Sequence, residues 1–333
     1  MATRKDVAAM AGVSPAVVSY VLNNSNYVSE EKRIAVMNAV KALDYQPNYI
    51  GRSLQNKKTY NLGLVCDDIR SELFAEIAYY SEKYAYENGY KLFLCTSHQD
   101  EGFLRSIVDH SLDGIFVGTS IFSVDQINRI ARSNIPVVLW KARHYEQLDP
   151  RVKCIRVEYH KAAYLLTERL IQKGYEKIAY FPPYLSGISI LGDDDYRYKG
   201  YRDALAHYGY AFDEELVCFD NGSYEAIQAK AESIFRYNLK AGEKIAYVTG
   251  NDYTAIQIMN HLKRKGLYSR ERIAITGMDN TASSMIVSPS LTTIGFSKAD
   301  IAKVAIDYLV HGVPEKAAET VNVTIRLIEG ESG

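Results

Sequence analysis

MATRKDVAAMAGVSPAVVSYVLNN, residues 1–24, and ALDYQPNYIGRSL, residues 42–54, decide how the rest of the chain is read. Thr3 can N-cap a first helix, and Asp6, three residues on, completes a capping-box spacing. Val7, Met10 and Ala11 give that helix an apolar face at helical spacing. Gly12 breaks it, and Ser14-Pro15 restarts a helix with a cap followed by proline at its first position. Two short helices joined by a turn around a glycine make the helix-turn-helix pattern. In the second helix Val18, Val21 and Leu22 fall at i, i+3 and i+4 and face the first. Pro15, Ala16, Ser19 and Tyr20 are then left pointing outward. A row of small and polar residues at a helix start suits insertion into a DNA major groove, where such residues meet base edges. A small three-helix bundle used for protein contact has the same local pattern.

A third helix is expected after Val28, with Ser29 as its cap and Glu30 and Glu31 favouring the dipole in its first turn. Its buried stripe is expected to be Ile34, Met37, Val40 and Leu43. Pro47 suits the first position of another short helix running to Leu54. That helix is too short to be stable alone, and Gly51 in its middle weakens it further. It is therefore expected to fold only where two copies meet on DNA; a plain linker is the alternative.

Charge is distributed to match. Of the 333 residues, 1–58 carry eight Lys/Arg against four Asp/Glu, a net of +4; with −1 overall, the remainder carries −1 − 4 = −5. A basic head on an acidic body is what phosphate contact by one end requires. The four cysteines, Cys66, Cys95, Cys154 and Cys218, form no CxxC, and buried free thiols of a reducing compartment are the expectation. No charged n-region followed by an apolar run opens the chain, and no stretch approaches the length of a membrane span. The expected location is the cytoplasm, with no membrane partner.

From Asn61 onward the chain alternates strands and helices. Leu62–Val65, Leu92–Cys95, Gly114–Val117, Val137–Trp140 and Ile155–Val157 read as buried strands. A second set follows at Ile178–Phe181, Val217–Phe219, Ile245–Val248 and Ile273–Thr276. Gly89, Gly174 and Gly266 sit just after helices, where a left-handed residue is wanted. The alternation means βαβ units and parallel sheets, and two sets in series suggest two similar doubly wound subdomains. Ligands of such sheets bind at the carboxyl ends of the strands, here in the cleft between two sheets.

Thr3-x-x-Asp6-Val7-Ala8-x-x-Ala11-Gly12-Val13-Ser14-x-x-x-Val18-Ser19-x-Val21-Leu22-Asn23 resembles the N-terminal signature of the LacI/GalR family of bacterial transcription regulators. Tyr45-Gln46-Pro47-Asn48 with Arg52-Ser53-Leu54 resembles that family's hinge helix, and the likeness spans the chain. It implies an all-α headpiece over residues 1–46, a hinge over 47–59, and an α/β core of periplasmic-binding-protein-like subdomains over 60–333. The resemblance further implies three strand crossovers. The first subdomain would take residues 60–158 and 296–320, the second 159–295 and 321–331, with Val321–Ile328 as a last strand in the second.

Ser14, Ser19 and Asn23 can donate to phosphates, and Ser29 can do so from a helix N-terminus. The resemblance places Ala16 and Tyr20 where family members read bases, and Leu54 where a leucine wedges into a minor-groove step. Tyr20 replaces a commonly basic or amide residue and Val17 a phosphate-binding threonine, so no known operator sequence transfers. The expected DNA-facing set is Thr3, Ser14, Pro15, Ala16, Val17, Ser19, Tyr20, Asn23 and Ser29, with Asn48, Gly51, Arg52 and Leu54 from the hinge.

In the cleft, strand ends supply Asp67, Trp140, Asn251 and Asp279, and Phe74 opens the first core helix. The resemblance places Arg197, in Arg197-x-x-Gly200-Tyr201, with Asn251 and Asp279 as residues that hold the effector. Arg and Asp make paired hydrogen bonds to vicinal hydroxyls while an aromatic face stacks on a sugar ring. Arg197 and Asp279 can instead form a structural ion pair, and Phe74 and Trp140 can belong to the core. Asp193 in Asp193-Asp194-Asp195 faces either the ligand or solvent. An acidic cleft disfavours phosphorylated or carboxylate effectors and leaves neutral sugars or amine-bearing ligands.

An enzyme is the main rival reading, but no GxGxxG, Walker loop, GxSxG, HExxH or metal-spaced Cys/His cluster is present, and no cofactor is expected. A secreted sugar-binding protein is the second, and it has no use for the basic bundle. The expectation is a homodimeric DNA-binding regulator, a repressor on a palindromic operator, controlled by a small molecule, by family weight a sugar.

Overall fold

The first helix, α1 (Arg4–Met10), starts where the sequence expects it. Thr3 accepts from Asp6 N at 3.4 Å, and Asp6 accepts from Thr3 N at 2.7 Å, closing the capping box. Gly12 sits at φ +65°, a left-handed conformation that glycine takes without a Cβ clash. The chain then turns through 102° into α2 (Pro15–Asn23), within the range of helix-turn-helix units. With α3 (Glu30–Ala42) these helices bury Val7, Ala8, Val18, Val21, Val36, Ala39 and Tyr45. Each fully buried valine contributes about 1.5 kcal/mol or more, which helices this short need because they are marginal alone.

Two expectations for this bundle's interior are corrected. Ile34 and Met37 are 53 % and 50 % exposed; Val36 and Ala39 take the inward stripe, with Val40 and Leu43 packed against it. Ile34 lies two residues from Val36, roughly 200° around the helix, so only one of the two series can face inward. Met10 is 57 % exposed, because the inward face of α1 runs through Val7 and Ala8 instead.

The computed structural model describes residues 2–23, 25–45, 58–98, 100–109, 112–184, 192, 194–220, 222–237, 240, 242–312 and 320–333. The expected hinge helix, Pro47–Leu54, therefore lies outside the described residues, as do Asn48, Gly51, Arg52 and Asp193. The chain divides into two compact units, Met1–Thr59 and Tyr60–Gly333.

The second unit is built on parallel sheets. Strands β1 (Asn61–Cys66), β2 (Lys91–Thr96), β3 (Gly114–Val117), β4 (Val137–Trp140) and β5 (Val152–Val157) alternate with α4 (Glu72–Glu87), α5 (Glu101–Asp109) and α6 (Val124–Arg132). The chain then passes through α7 (Tyr159–Gln172) to β6 (Lys177–Phe181), α8 (Tyr196–His207), α9 (Tyr224–Tyr237), β7 (Ile245–Thr249), α10 (Asp252–Arg264) and β8 (Ile273–Thr276). After α11 (Ala282–Ile286) and β9 (Thr293–Gly295), α12 (Lys298–His311) leads to β10 (Thr320–Val323) and β11 (Arg326–Ile328). The first sheet runs β10-β5-β4-β3-β1-β2, all parallel, and the second β6-β7-β8, also parallel. Burial on both faces explains why β1, β3, β4, β6, β7 and β8 read as continuous apolar runs, whereas Leu92–Cys95, expected as a buried strand, lies in the edge strand β2 and is partly exposed.

The expected last strand, Val321–Ile328, is instead two. β10 pairs with β5 in the first sheet, and β11 pairs antiparallel with β9. The return between sheets falls at Thr324 and Ile325, because the exposed edge of β5 accepts a further parallel partner first. Val217–Phe219 is likewise no full strand. Glu214–Leu216 forms a 3₁₀ turn, and only Val217 bridges to Tyr180.

Candidate functional site

In the first unit, Pro15 and Ala16 are exposed and Tyr20 is 37 % exposed, so these three form the outward row at the start of α2. Val17 and Ser19 are half-buried. Ser14 accepts from Val17 N at 3.4 Å and so caps α2. Thr3 has its hydroxyl committed to Asp6 at 2.7 Å. Ser29 occupies the N-cap of α3 without a side-chain capping bond and is half-buried. The Asn23 side chain lies outside the described residues.

In the second unit, one cavity gathers every described effector candidate. Asp67, Phe74, Trp140, Arg197, Asn251 and Asp279 all line it. Asp67 follows β1, Trp140 ends β4, Asn251 follows β7 and Asp279 follows β8, so the carboxyl ends of both sheets meet there. Phe74 and Trp140 pack edge-to-face at 6.1 Å, at once wall and core.

Arg197 owes its place to helix packing. A Cβ on Gly200 would lie 2.1 Å from the His160 carbonyl oxygen, so only glycine lets α8 approach α7 this closely. That approach lays the Arg197 guanidinium 3.7 Å above the Tyr159 ring, with Asp195 as its ion partner at 3.8 Å. Arg197 therefore pairs with the aspartate that caps its own helix, not with Asp279. Asp195 is fully buried and accepts from Arg197 N at 2.9 Å, so this member of the acidic triplet is structural. Burial pushes its carboxyl up, against the pull of Arg197.

Asn251 caps α10, its Oδ1 accepting from Thr254 N at 2.8 Å, which leaves its amide hydrogens for a ligand. Asp67 accepts from Thr119, and burial pushes its carboxyl up to about 6. Asp279 stands at φ +104° and Asn280 at φ +50°, and Lys298 grips both backbone carbonyls from the start of α12. Backbone strain of this kind persists only where the surroundings over-determine it. Burial, with the charge of Asp252 beside it, pushes Asp279 well above the usual carboxylate range. Behind it Asp252 accepts from Thr281 N at 2.7 Å, and burial pushes it up to about 6.

Four buried polar atoms in this cavity have no hydrogen-bond partner among the described residues: Trp140 Nε1, Arg197 Nε, Arg197 Nη1 and Asp279 Oδ1. A buried unmade hydrogen bond costs about 1–3 kcal/mol, and Arg197 Nη1 reaches Asp195 only at ion-pair distance, 3.8 Å, so these atoms keep hydrogen-bonding capacity for a ligand to meet. Sequence reasoning missed Tyr159, Asp195 and Tyr184 as lining or supporting groups. The cap spacing from Asp195 to Arg197 was the one available signal.

A family model described as "Bacterial regulatory proteins, lacI family" matches residues 3–48. One described as "Periplasmic binding proteins and sugar binding domain of LacI family" matches residues 59–329. The chain is 30 % identical over 328 residues to the HTH-type transcriptional repressor PurR of Glaesserella parasuis serovar 5 (strain SH0165), covering 95 % of this chain and 91 % of that protein. A Lac repressor dimer bound to operator and the anti-inducer ONPF superposes with a TM-score of 0.80 at 18 % identity, covering 99 % of this chain and 98 % of that one. A complex of the transcriptional regulator CelR with cellobiose gives a TM-score of 0.69 at 22 % identity over the whole of both chains.

Proposed function

The chain belongs to the lacI family of bacterial regulatory proteins and is a DNA-binding transcription repressor, not an enzyme; on that premise we propose that it binds a palindromic operator as a homodimer under the control of a neutral sugar. The observation that carries the effector half is the set of buried polar atoms on Trp140, Arg197 and Asp279 that make no hydrogen bond among the described residues. Hydroxyls of a sugar donate to the Asp279 carboxyl oxygen and accept from Arg197 and the Trp140 indole, while the Phe74 and Trp140 rings give its apolar face a wall. Phosphorylated ligands are disfavoured, because the buried cation that would receive the phosphate, Arg197, is already engaged with Asp195. The alternative is a sugar-binding protein or enzyme of the same core fold, which the headpiece argues against.

Dimerisation is supported by apolar surface on the first sheet's outer edge. Phe93 and Leu94 on the edge strand β2 are 52 % and 42 % exposed, and Tyr79 and Tyr86 on α4 are more exposed still. An edge strand carrying such residues wants a partner. No single helix among the described residues is long and apolar enough to cross a membrane, and a DNA partner places the proposed site of action in the cytoplasm.

Control follows from contacts that span the cleft. Ser283 N donates to Glu72 at 3.0 Å, His144 N donates to the Asp194 carbonyl at 2.9 Å, and Lys298 pairs with Glu76 at 3.6 Å while holding the Asp279 turn. A ligand that binds the closed and open cleft unequally shifts the population between them. The DNA contacts are Thr3, Ser14, Pro15, Ala16, Val17, Ser19, Tyr20, Asn23 and Ser29, with Asn48, Gly51, Arg52 and Leu54 of the hinge. Footprinting upstream of the protein's own coding region should give a protected palindrome that weakens steeply with salt. A missing or salt-independent footprint would overturn the operator reading. Thermal-shift screening against sugars, purines and amino acids should raise the melting temperature with sugars; a response to nucleobases alone rejects the sugar.

A further inference from the structure

The cavity of Trp140, Arg197 and Asp279 opens into a second, larger one. The two share Asp68, Ser71, Leu73, Tyr184, Asn251 and Asp279, so they are inner and outer chambers of one cleft. The inner holds about 70 Å³ and the outer about 300 Å³. At ~10–15 Å³ per water-sized sphere, the inner chamber takes roughly five to seven such spheres, the bulk of a single sugar ring.

The outer chamber differs from the inner in chemistry. Its wall is a stepped row of tyrosines: the rings of Tyr184 and Tyr224 lie 4.0 Å apart and those of Tyr224 and Tyr253 5.1 Å apart, tilted by 43° and 54°. Tyr253 stays 50 % exposed although it stands in the first turn of α10, two residues past the Asn251 cap. Burial, and the bond of its hydroxyl with Tyr253, raise the Tyr224 phenol above its ordinary value, so the middle ring of the row faces a ligand with a neutral hydroxyl.

Of the charged groups lining this chamber, Arg70 and Asp68 are paired with each other. Arg70 donates to both oxygens of Asp68, at 2.6 Å through Nη2, and Glu72 accepts from Ser283. A phosphate or carboxylate tail would have to break the Arg70–Asp68 fork to gain a cation. A neutral, ring-shaped, hydroxyl-bearing extension needs no such exchange: its C–H face lies on the tyrosines and its hydroxyls meet theirs.

We propose that the effector is an oligosaccharide, with one terminal ring in the inner chamber and the next ring lying on the Tyr184–Tyr224–Tyr253 wall. The proposal rests on the sugar reading of the cleft and adds ligand length and the residues that read it.

The test is isothermal titration calorimetry on the full-length protein with matched series: glucose, cellobiose and cellotriose; glucose, maltose and maltotriose; xylose, xylobiose and xylotriose; galactose and lactose. Adenine, guanine and glucose 6-phosphate accompany them. In the series that binds, the disaccharide should bind at least about tenfold tighter than its monosaccharide. Tyr253→Ala should cut that ratio by about three- to tenfold, while Tyr253→Phe keeps most of it because the ring face carries the contact. Tyr253 is half exposed, so its truncation leaves the core packing in place, checked by an unchanged circular dichroism melt. A monosaccharide as tight as its disaccharide, or a ratio untouched by Tyr253→Ala, overturns the length claim and spares the sugar reading. Binding of a nucleobase or sugar phosphate alone, or silence of every saccharide, overturns the sugar reading and the length claim with it.

Discussion

The DNA-facing unit and the effector cleft satisfy their polar groups in opposite ways. In the first, Thr3 and Asp6 close on each other three residues apart, and Ser14 meets Val17 at the same spacing. In the cleft, Asp67 is held by Thr119, 52 positions away, and Glu72 by Ser283, 211 positions away. The first arrangement stabilises short helices at modest cost. The second gathers buried carboxylates that raise the free energy of the fold and aim groups at a ligand. A region built from i to i+3 bonds is robust and generic, whereas one built from remote bonds is strained and specific.

That contrast can be broken at several points. The largest expected effect is on the pH dependence of the cleft. Asp252 rises from an ordinary 3.8 to about 6 through burial, worth about 3 kcal/mol at 1.36 kcal/mol per unit. Because the folded pKa lies above the unfolded one, this stabilisation is fully present below pH ~4 and lost as pH rises through about 6. Wild type should therefore lose about 3 kcal/mol relative to Asp252→Asn between pH ~4 and ~7, read by chemical denaturation across that range. A difference that stays flat with pH would mean that the cleft stores no such cost.

In the headpiece, Val36→Ala should cost about 2 kcal/mol from lost burial and the cavity left behind. Amide exchange should show that loss within residues 1–45 and leave the sheets of the second unit unaffected. Loss of protection in β1 or β7 as well would mean that the two units unfold together. The smallest effect belongs to Thr3→Ala, about 1 kcal/mol from the lost cap. It is measured as faster exchange of the α1 amides, and no change there would show that the capping box is dispensable.

Residues were legible in the sequence in proportion to how local their reasons are. The capping box, Gly12 and the stripe of Val18 and Val21 follow from spacing, and so does the run of buried parallel strands. Ile34 and Met37 misled because two apolar series share α3, and only contact with α1 and α2 chooses between them. Val321–Ile328 misled because its split depends on which of two sheets offers an open edge. Tyr184, Tyr224 and Tyr253 come from three separate segments, and among 27 tyrosines nothing marks them in advance.

The sequence by itself determined that a basic helix-turn-helix precedes an α/β body, because caps, glycine turns and apolar periods act over a few residues. The strand ends that supply Asp67, Trp140, Asn251 and Asp279 were also determined there, since the βα alternation fixes where each strand stops. Only the tertiary structure decided that Arg197 turns to Asp195 rather than Asp279, and that the cleft continues onto a tyrosine wall. Those outcomes depend on how closely α8 packs on α7 and how the two sheets face each other. Such distances arise from packing between segments remote in sequence, which no local pattern encodes.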